Sequence, residues 1–164
     1  MIPLLVYGVS PSGNSQKAIL GCQLMNLPYE LRCVPNLIGK EAEVPGGAKS
    51  QEYLSLNPKG TVPVLIDPNS PAEAGSKYGI ATDFHSSEGL VVAESTGILT
   101  YLALKYSPAW YNIHDPILAA RVNNWLAFAS NEIHQSLLKA SNSFIQIIAR
   151  FNHLCRFQHN QQYL

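Results

Sequence analysis

Residues 57–65 read NPKGTVPVL, and the fold turns on the proline at position 63. Val62, Val64, Leu65 and Ile66 have the β-branched and apolar character of a strand. A proline there removes a donor from the ladder, so it belongs at a sheet edge or where its X–Pro bond is special. A cis bond costs only about 0.5–1 kcal/mol before proline, against roughly 2.5–4 kcal/mol elsewhere. On these nine residues alone, an ordinary edge proline and a cis proline stand level. The Asn57-Pro58 pair upstream stops a helix, and SQEYLSLN, residues 50–57, is the short helix expected to end there.

On the N-terminal side, residues 3–8 form an apolar run that reads as a buried strand. SQKAILGCQLMN, residues 15–26, places Ala18, Ile19, Cys22 and Met25 at helical spacing, and Leu27-Pro28 ends it. YELRCV, residues 29–34, alternates like a half-buried strand. Residues 36–50 are Gly-rich and polar, hence loop. On the C-terminal side, the strand at 61–67 is followed by a Pro-, Gly-, Ser- and Ala-rich excursion over 68–88, then a strand at 89–95 and a helix at 96–106. The spacing predicts the longest helix over 115–140, with an apolar stripe of Leu118, Val122, Trp125, Leu126, Ala129, Ile133 and Leu137. One more amphipathic segment and a glutamine-rich end follow.

Composition narrows the function classes. Formal net charge is zero, and no basic stripe is interleaved with aromatics, so nucleic acid is not an expected partner. The apolar runs are too short for a membrane span, and the N-terminus lacks a signal-type pattern, so a soluble cytoplasmic protein is expected. Cys22, Cys33 and Cys155 are far apart and without CxxC spacing, so neither a disulfide framework nor a metal site is expected.

A βαβ unit followed by a ββα unit is the thioredoxin arrangement, which needs a parallel β1–β2 crossover and an antiparallel β3–β4 pair. Helices alone follow it. The fold class expected is therefore α/β: a thioredoxin-like domain over 1–106, interrupted by the 68–88 insert, then a short, incomplete all-α domain over 115–164. In such a fold a cis proline at the start of the third strand turns the preceding backbone outward. Val62 could then offer its N–H and C=O to an extended peptide ligand. VVAES followed by TGILTYLALKY puts Glu94 and Ser95 at a strand-to-helix junction. Ser95 is an N-cap by residue type, and the free N–H groups of a first helical turn attract a carboxylate. Glu94 could receive an ammonium. Capping alone would also account for both residues.

SGNSQKA after the first strand, NPKGTVPVL and ESTGILTYLA occur in one order, and DPILAARVNNWLAFASNEIH follows them. Together, over about residues 2–140, they resemble the glutathione S-transferases of serine or asparagine type, with bacterial and fungal relatives. The resemblance implies a transferase with glutathione as co-substrate, a hydrophobic electrophile or a peroxide as second substrate and a role in detoxification; the apolar stripe of the 115–140 helix, with few further residues to cover it, makes a homodimer the expected assembly. It implies that Ser12 or Asn14 activates the thiol, with Ser10 and Ser15 nearby and Tyr7 the weaker alternative of the tyrosine-type classes. Lys49, Val62, Pro63, Glu94 and Ser95 would bind the rest of the tripeptide.

Two departures stand against that pattern. The 68–88 excursion replaces a tight hairpin, which loop-closure entropy tolerates because its cost rises slowly with length. From Asp115 onward there are 50 residues, too few for the family's several further helices, so a shortened helical domain is expected. The alternative function is a non-enzymatic binding or assembly module on the same scaffold.

Overall fold

The structure, a computed structural model, describes residues 1–9, 12–34, 40–43, 45–70, 88–111 and 114–133. The chain divides into two compact units, Met1–Val122 and Asn123–Leu164. The elements are β1 Leu4–Gly8, α1 Gly13–Leu24, β2 Tyr29–Cys33, α2 Gln51–Leu56, β3 Val64–Asp67, β4 Leu90–Ala93, α3 Ser95–Tyr106 and α4 Pro116–Phe128. A short 3₁₀ turn, Lys40–Glu43, lies within the stretch expected to be loop.

In the first unit four strands form one mixed sheet in the order β2-β1-β3-β4. β1 pairs parallel with β2 and antiparallel with β3, and β3 pairs antiparallel with β4. This is the βαβ–ββα topology of a thioredoxin-like domain. β1 is central, which explains why LLVYG is apolar nearly throughout: a strand with neighbours on both sides and cover on both faces has no polar face to show. Successive side chains point to opposite faces. Leu4 and Val6 of β1 and Leu65 of β3 pack with Ala18, Ile19 and Cys22 of α1 and Ile98 and Leu102 of α3. Val64, with Tyr7, Val91 and Ala93, packs on the other face with Tyr53, Ala48 and Val34.

Local rules set the helix ends. Ser12 caps α1 by accepting from the Ser15 N–H at 3.3 Å. Asn26 ends it in the left-handed region, at φ 53°. Ser50 caps α2 through the Tyr53 N–H at 3.2 Å. Asp115 caps α4 through the N–H groups of Ile117 and Leu118, both at 3.0 Å, with Pro116 in first position. α1 and α3 pack closely at Gly21, where a Cβ would stand 2.6 Å from Leu99 Cδ2.

Asp67, at the end of β3, is fully buried. Its carboxylate accepts from the hydroxyls of Tyr101 (2.5 Å) and Tyr106 (2.6 Å), from Lys105 Nζ (2.7 Å) and from the Asn69 N–H (2.7 Å). Lys105 also donates to Ser70 Oγ and to the Asn69 carbonyl at 3.1 Å. Burial by itself would raise the Asp67 pKa; the bonds from Lys105, Tyr101, Tyr106 and Asn69 outweigh it and hold the group down at about 2.

α4 differs from expectation. It is α-helical to Phe128 and passes into a π turn, Ala129–Ile133, while positions 134–140 lie outside the described residues. No residue of α4 is buried. Ile117 is 67% and Trp125 68% exposed. In the second unit, Trp125 and Phe128 meet edge to face, 5.8 Å between centroids. The insert, apart from its ends at 68–70 and Glu88, and the segment beyond Ile133 lie outside the described residues. No helix among the described residues is long and apolar enough to cross a membrane.

Asp67→Asn should lower the unfolding free energy at pH 7 by about 2–4 kcal/mol, because it leaves Lys105 without its anion. The folded Asp67 pKa lies below its ordinary value. Its contribution is therefore complete above about pH 4 and is lost as pH falls toward about 2. Urea unfolding at pH 7, 4 and 2.5 should show the gap between wild type and variant narrowing over the acid end of that range.

Candidate functional site

β1 and β4 are each antiparallel to β3, so they run in the same direction and their C-terminal ends lie at one end of the sheet. α1 follows β1 and α3 follows β4, so both helices begin at that end. Val64, the first residue of β3, pairs with Tyr7 and Ala93, which puts Pro63 there too. Three stretches singled out in the sequence are thereby brought together.

Ser12 turns the chain into α1 with φ −80° and ψ 114°. As a cap its hydroxyl uses an acceptor lone pair, which leaves its proton available for donation. Ser15 is fully buried and accepts from the Val9 N–H at 3.2 Å. A Cβ at Gly8 would stand 2.8 Å from Ser15 Oγ, so β1 and α1 can approach this closely only with glycine at that position. Ser15 therefore shapes the turn. Asn14 Oδ1 accepts from Lys17 Nζ at 3.1 Å and from the Ser95 hydroxyl at 3.3 Å, 81 positions away. That second bond joins the N-termini of α1 and α3. Ser10 lies outside the described residues.

Ser95 is not the cap of α3. It is the first helical residue and is buried. The cap position belongs to Glu94, whose side chain makes no capping bond. Capping by a side chain needs extended backbone at the cap, whereas Glu94 stands at φ 68°, a left-handed conformation uncommon outside glycine. Its carboxylate accepts from Lys59 Nζ at 2.9 Å. Lys49 Nζ donates to the Lys59 carbonyl at 2.6 Å. Lys49, Lys59 and Glu94 thus form a chain of polar contacts along the edge of the site.

The Val62–Pro63 bond is cis. Among the described residues, neither the N–H nor the C=O of Val62 has a backbone partner. The turn before it is held from inside. Asn57 is fully buried; its Nδ2 donates to the Thr61 carbonyl (2.8 Å) and hydroxyl (3.1 Å), and its Oδ1 accepts from the Lys59 N–H (3.1 Å). The Tyr53 hydroxyl donates to the same Thr61 carbonyl at 2.7 Å. Tyr7 lies on the α2 face, its hydroxyl accepting from Arg32 at 2.9 Å, and so sits on the sheet face opposite α1 and α3.

Sequence reasoning missed Lys17, Lys59, Asn57 and Tyr53 as parts of this site. Asn57 had been read only as a helix stop, and Tyr53 carried no signal beyond its place in an apolar helix. Among the described residues no three His, Cys, Asp or Glu side chains gather as a metal site would require.

The family model for the glutathione S-transferase N-terminal domain matches residues 11–105, more than half of the chain. The chain belongs to the glutathione S-transferase family. It is 27% identical over 138 residues to glutathione S-transferase GstB of Escherichia coli strain K12, covering 82% of this chain and 54% of that protein. It is 30% identical over 132 residues to the glutathione S-transferase-like protein tpcF of Aspergillus fumigatus, covering 79% and 46%. Among solved structures it is similar to an epsilon-class glutathione S-transferase from the housefly Musca domestica, with TM-score 0.62, 26% identity and coverage of 89% and 55%. It is also similar to a theta-class enzyme from Xanthomonas axonopodis pv. citri with glutathione bound, with TM-score 0.57, 26% identity and coverage of 80% and 50%. The chain spans about half the length of the curated relatives it matches.

The site's turn depends on Asn57 more than on Tyr53. Asn57→Ala removes the bonds of a buried carboxamide to the Thr61 carbonyl and hydroxyl and to the Lys59 N–H, and should cost about 2–3 kcal/mol of stability. Tyr53→Phe leaves the Thr61 carbonyl its Asn57 bond and should cost about 1 kcal/mol. Denaturant unfolding of the two variants checks the order.

Proposed function

We propose that the chain binds glutathione where α1, the 57–63 turn and α3 meet, and presents its thiolate to a second substrate. The observation that carries this is the Asn14–Ser95 hydrogen bond, which brings two helix N-termini beside the unpartnered backbone of Val62. Glutathione is a peptide-like thiol with two carboxylates and an ammonium. Val62 would pair with its backbone, while Ser95 and the first turn of α3 would hold the γ-glutamyl carboxylate. Glu94 would take the ammonium and Lys49 the glycyl carboxylate, with the Pro63 bend aiming Val62 outward. Ser10, outside the described residues, would be a further glutathione contact. The glutathione-bound state of similar structures supports the ligand class.

The chemistry follows from the thiol. A free thiol has a pKa near ~8.5, and lowering it by about two units takes roughly 2.7 kcal/mol. A hydrogen bond to a charged group contributes about 1.5–3 kcal/mol and a helix N-terminus about 0.3–1 kcal/mol. One donor at the start of α1 is therefore sufficient. Ser12 is the principal candidate and Asn14 the second. The thiolate then gives an electron pair to an electrophilic carbon, a C–S bond forms, and the leaving group departs with its own pair; with a hydroperoxide an S–O bond would form instead as the O–O bond breaks, the thiolate being oxidised to a sulfenic acid and the alkoxide leaving to take a proton from water.

Residues 1–106 would serve as the glutathione domain and 115–164 as part of a helical one, whose exposed α4 face fits a hydrophobic second substrate or a homodimer contact. A cytoplasmic detoxifying role accords with this reading.

The wild-type chain should be retained on immobilised glutathione and eluted by free glutathione. In Ser12→Ala, the pKa of bound glutathione read by thiolate absorbance should rise by about one to two units. A shift under about half a unit, roughly 0.7 kcal/mol, removes Ser12 as the activating group. Retention with no thiolate at neutral pH in the wild type would favour a binding module over an enzyme.

A further inference from the structure

Lys59 and Glu94 carry side chains that their own backbone does not need. Lys59 is fixed in the 57–63 turn by its main chain: its N–H donates to Asn57 Oδ1 at 3.1 Å and its carbonyl accepts from Lys49 Nζ at 2.6 Å. Glu94 opens α3 through its carbonyl, which accepts from the Ile98 N–H at 2.9 Å, while its carboxylate caps nothing. The two side chains meet instead across the site, Lys59 Nζ donating to Glu94 Oε1 at 2.9 Å over 35 positions of sequence. The contact joins the turn that carries Val62 to the helix start that carries Ser95. The two side chains are 69% and 57% exposed. An ion pair so open to water is weak and opens readily.

We infer that Lys59 is an internal competitor for the ammonium of the ligand: its Nζ occupies the place on Glu94 that a γ-glutamyl ammonium takes, and ligand binding displaces it. This rests on the glutathione reading above. A carboxylate holds an ammonium by charge and by accepting its N–H groups, and Lys59 supplies both in the ligand-free protein. Two ammonium groups on one carboxylate repel each other, so the ligand makes its full contact only as Lys59 swings into water. The flexible four-carbon stem and strongly hydrated head of lysine make that swing easy. Lys59 therefore lowers the affinity for glutathione through the ammonium alone, and leaves the backbone pairing at Val62 as it is.

The test compares glutathione with an analogue in which glutaryl replaces the γ-glutamyl group, so that only the ammonium is missing. Each is titrated into the full chain by calorimetry. Lys59→Met should bind glutathione about threefold more tightly than wild type and the analogue unchanged. Lys59→Arg, which keeps the cation, should match wild type. Glu94→Gln should weaken glutathione, and adding Lys59→Met to it should change nothing further. If Lys59→Met does not fold, Lys59→Gln, which also removes the charge, is read in the same way. Glutathione binding that is unchanged or weaker in Lys59→Met overturns the inference. So does an equal change for both ligands, which would mean that Lys59 only shapes the turn. In either case the functional reading stands, because glutathione is still bound. A wild type that binds neither ligand overturns the functional reading together with the inference.

Discussion

A carboxylate with no exposed surface cannot remain charged without partners, and that requirement at Asp67 organises the domain. Asp67 ends β3 and draws Tyr101, Lys105 and Tyr106 of α3 onto one oxygen, Oδ2. Three residues spread over six positions of one helix then meet a single point on the sheet. The helix can neither slide nor rotate without breaking charge-assisted bonds in a region of low dielectric. With its C-terminal half pinned in this way, the other end of α3 falls beside the start of α1, where Ser95 reaches Asn14.

Strand direction decides what meets at that end. Because β1 and β4 flank β3 antiparallel, they are parallel to each other, and the helices that follow them open in the same place. Ligand sites in α/β sheets commonly lie beyond the carboxyl ends of parallel strands, where helix N-termini offer unpaired N–H groups. The 57–63 turn adds a third wall. Its shape comes from within, since the buried Asn57 side chain supplies the bonds that the backbone of a proline- and glycine-containing turn cannot make for itself.

The α4 segment follows a different logic. Its start is set locally by Asp115 and Pro116, yet none of its residues is buried, and Ile117 and Trp125 lie largely open. An amphipathic sequence pattern specifies that a helix has an apolar face. It does not specify what covers that face, and the chain spans about half the length of the curated relatives it matches.

Period-two and period-3.6 patterning, proline and glycine punctuation and cap residues were enough to read β1 to β4 and α1 to α3 within a few residues at each end, though not the 3₁₀ turn Lys40–Glu43. They also singled out Val62, Glu94 and Ser95, because strand-to-helix junctions and a strand proline are visible in one dimension, whereas Asn14 was singled out by the family resemblance. What they could not show was which polar atoms meet. The sequence suggested Ser95 as a cap from its residue type, but α3 begins one residue earlier, which gives the cap position to Glu94, whose backbone at φ 68° does not suit side-chain capping. Lys59 looks like an ordinary surface lysine until the tertiary fold sets it against Glu94. Tyr7 is a plausible hydroxyl donor by residue type, and only strand alternation within the assembled sheet shows that it faces away from α1. Local propensity is a property of neighbours in sequence and was legible from it; the pairing of side chains 35 and 81 positions apart exists only once burial of the two apolar faces has closed the sheet.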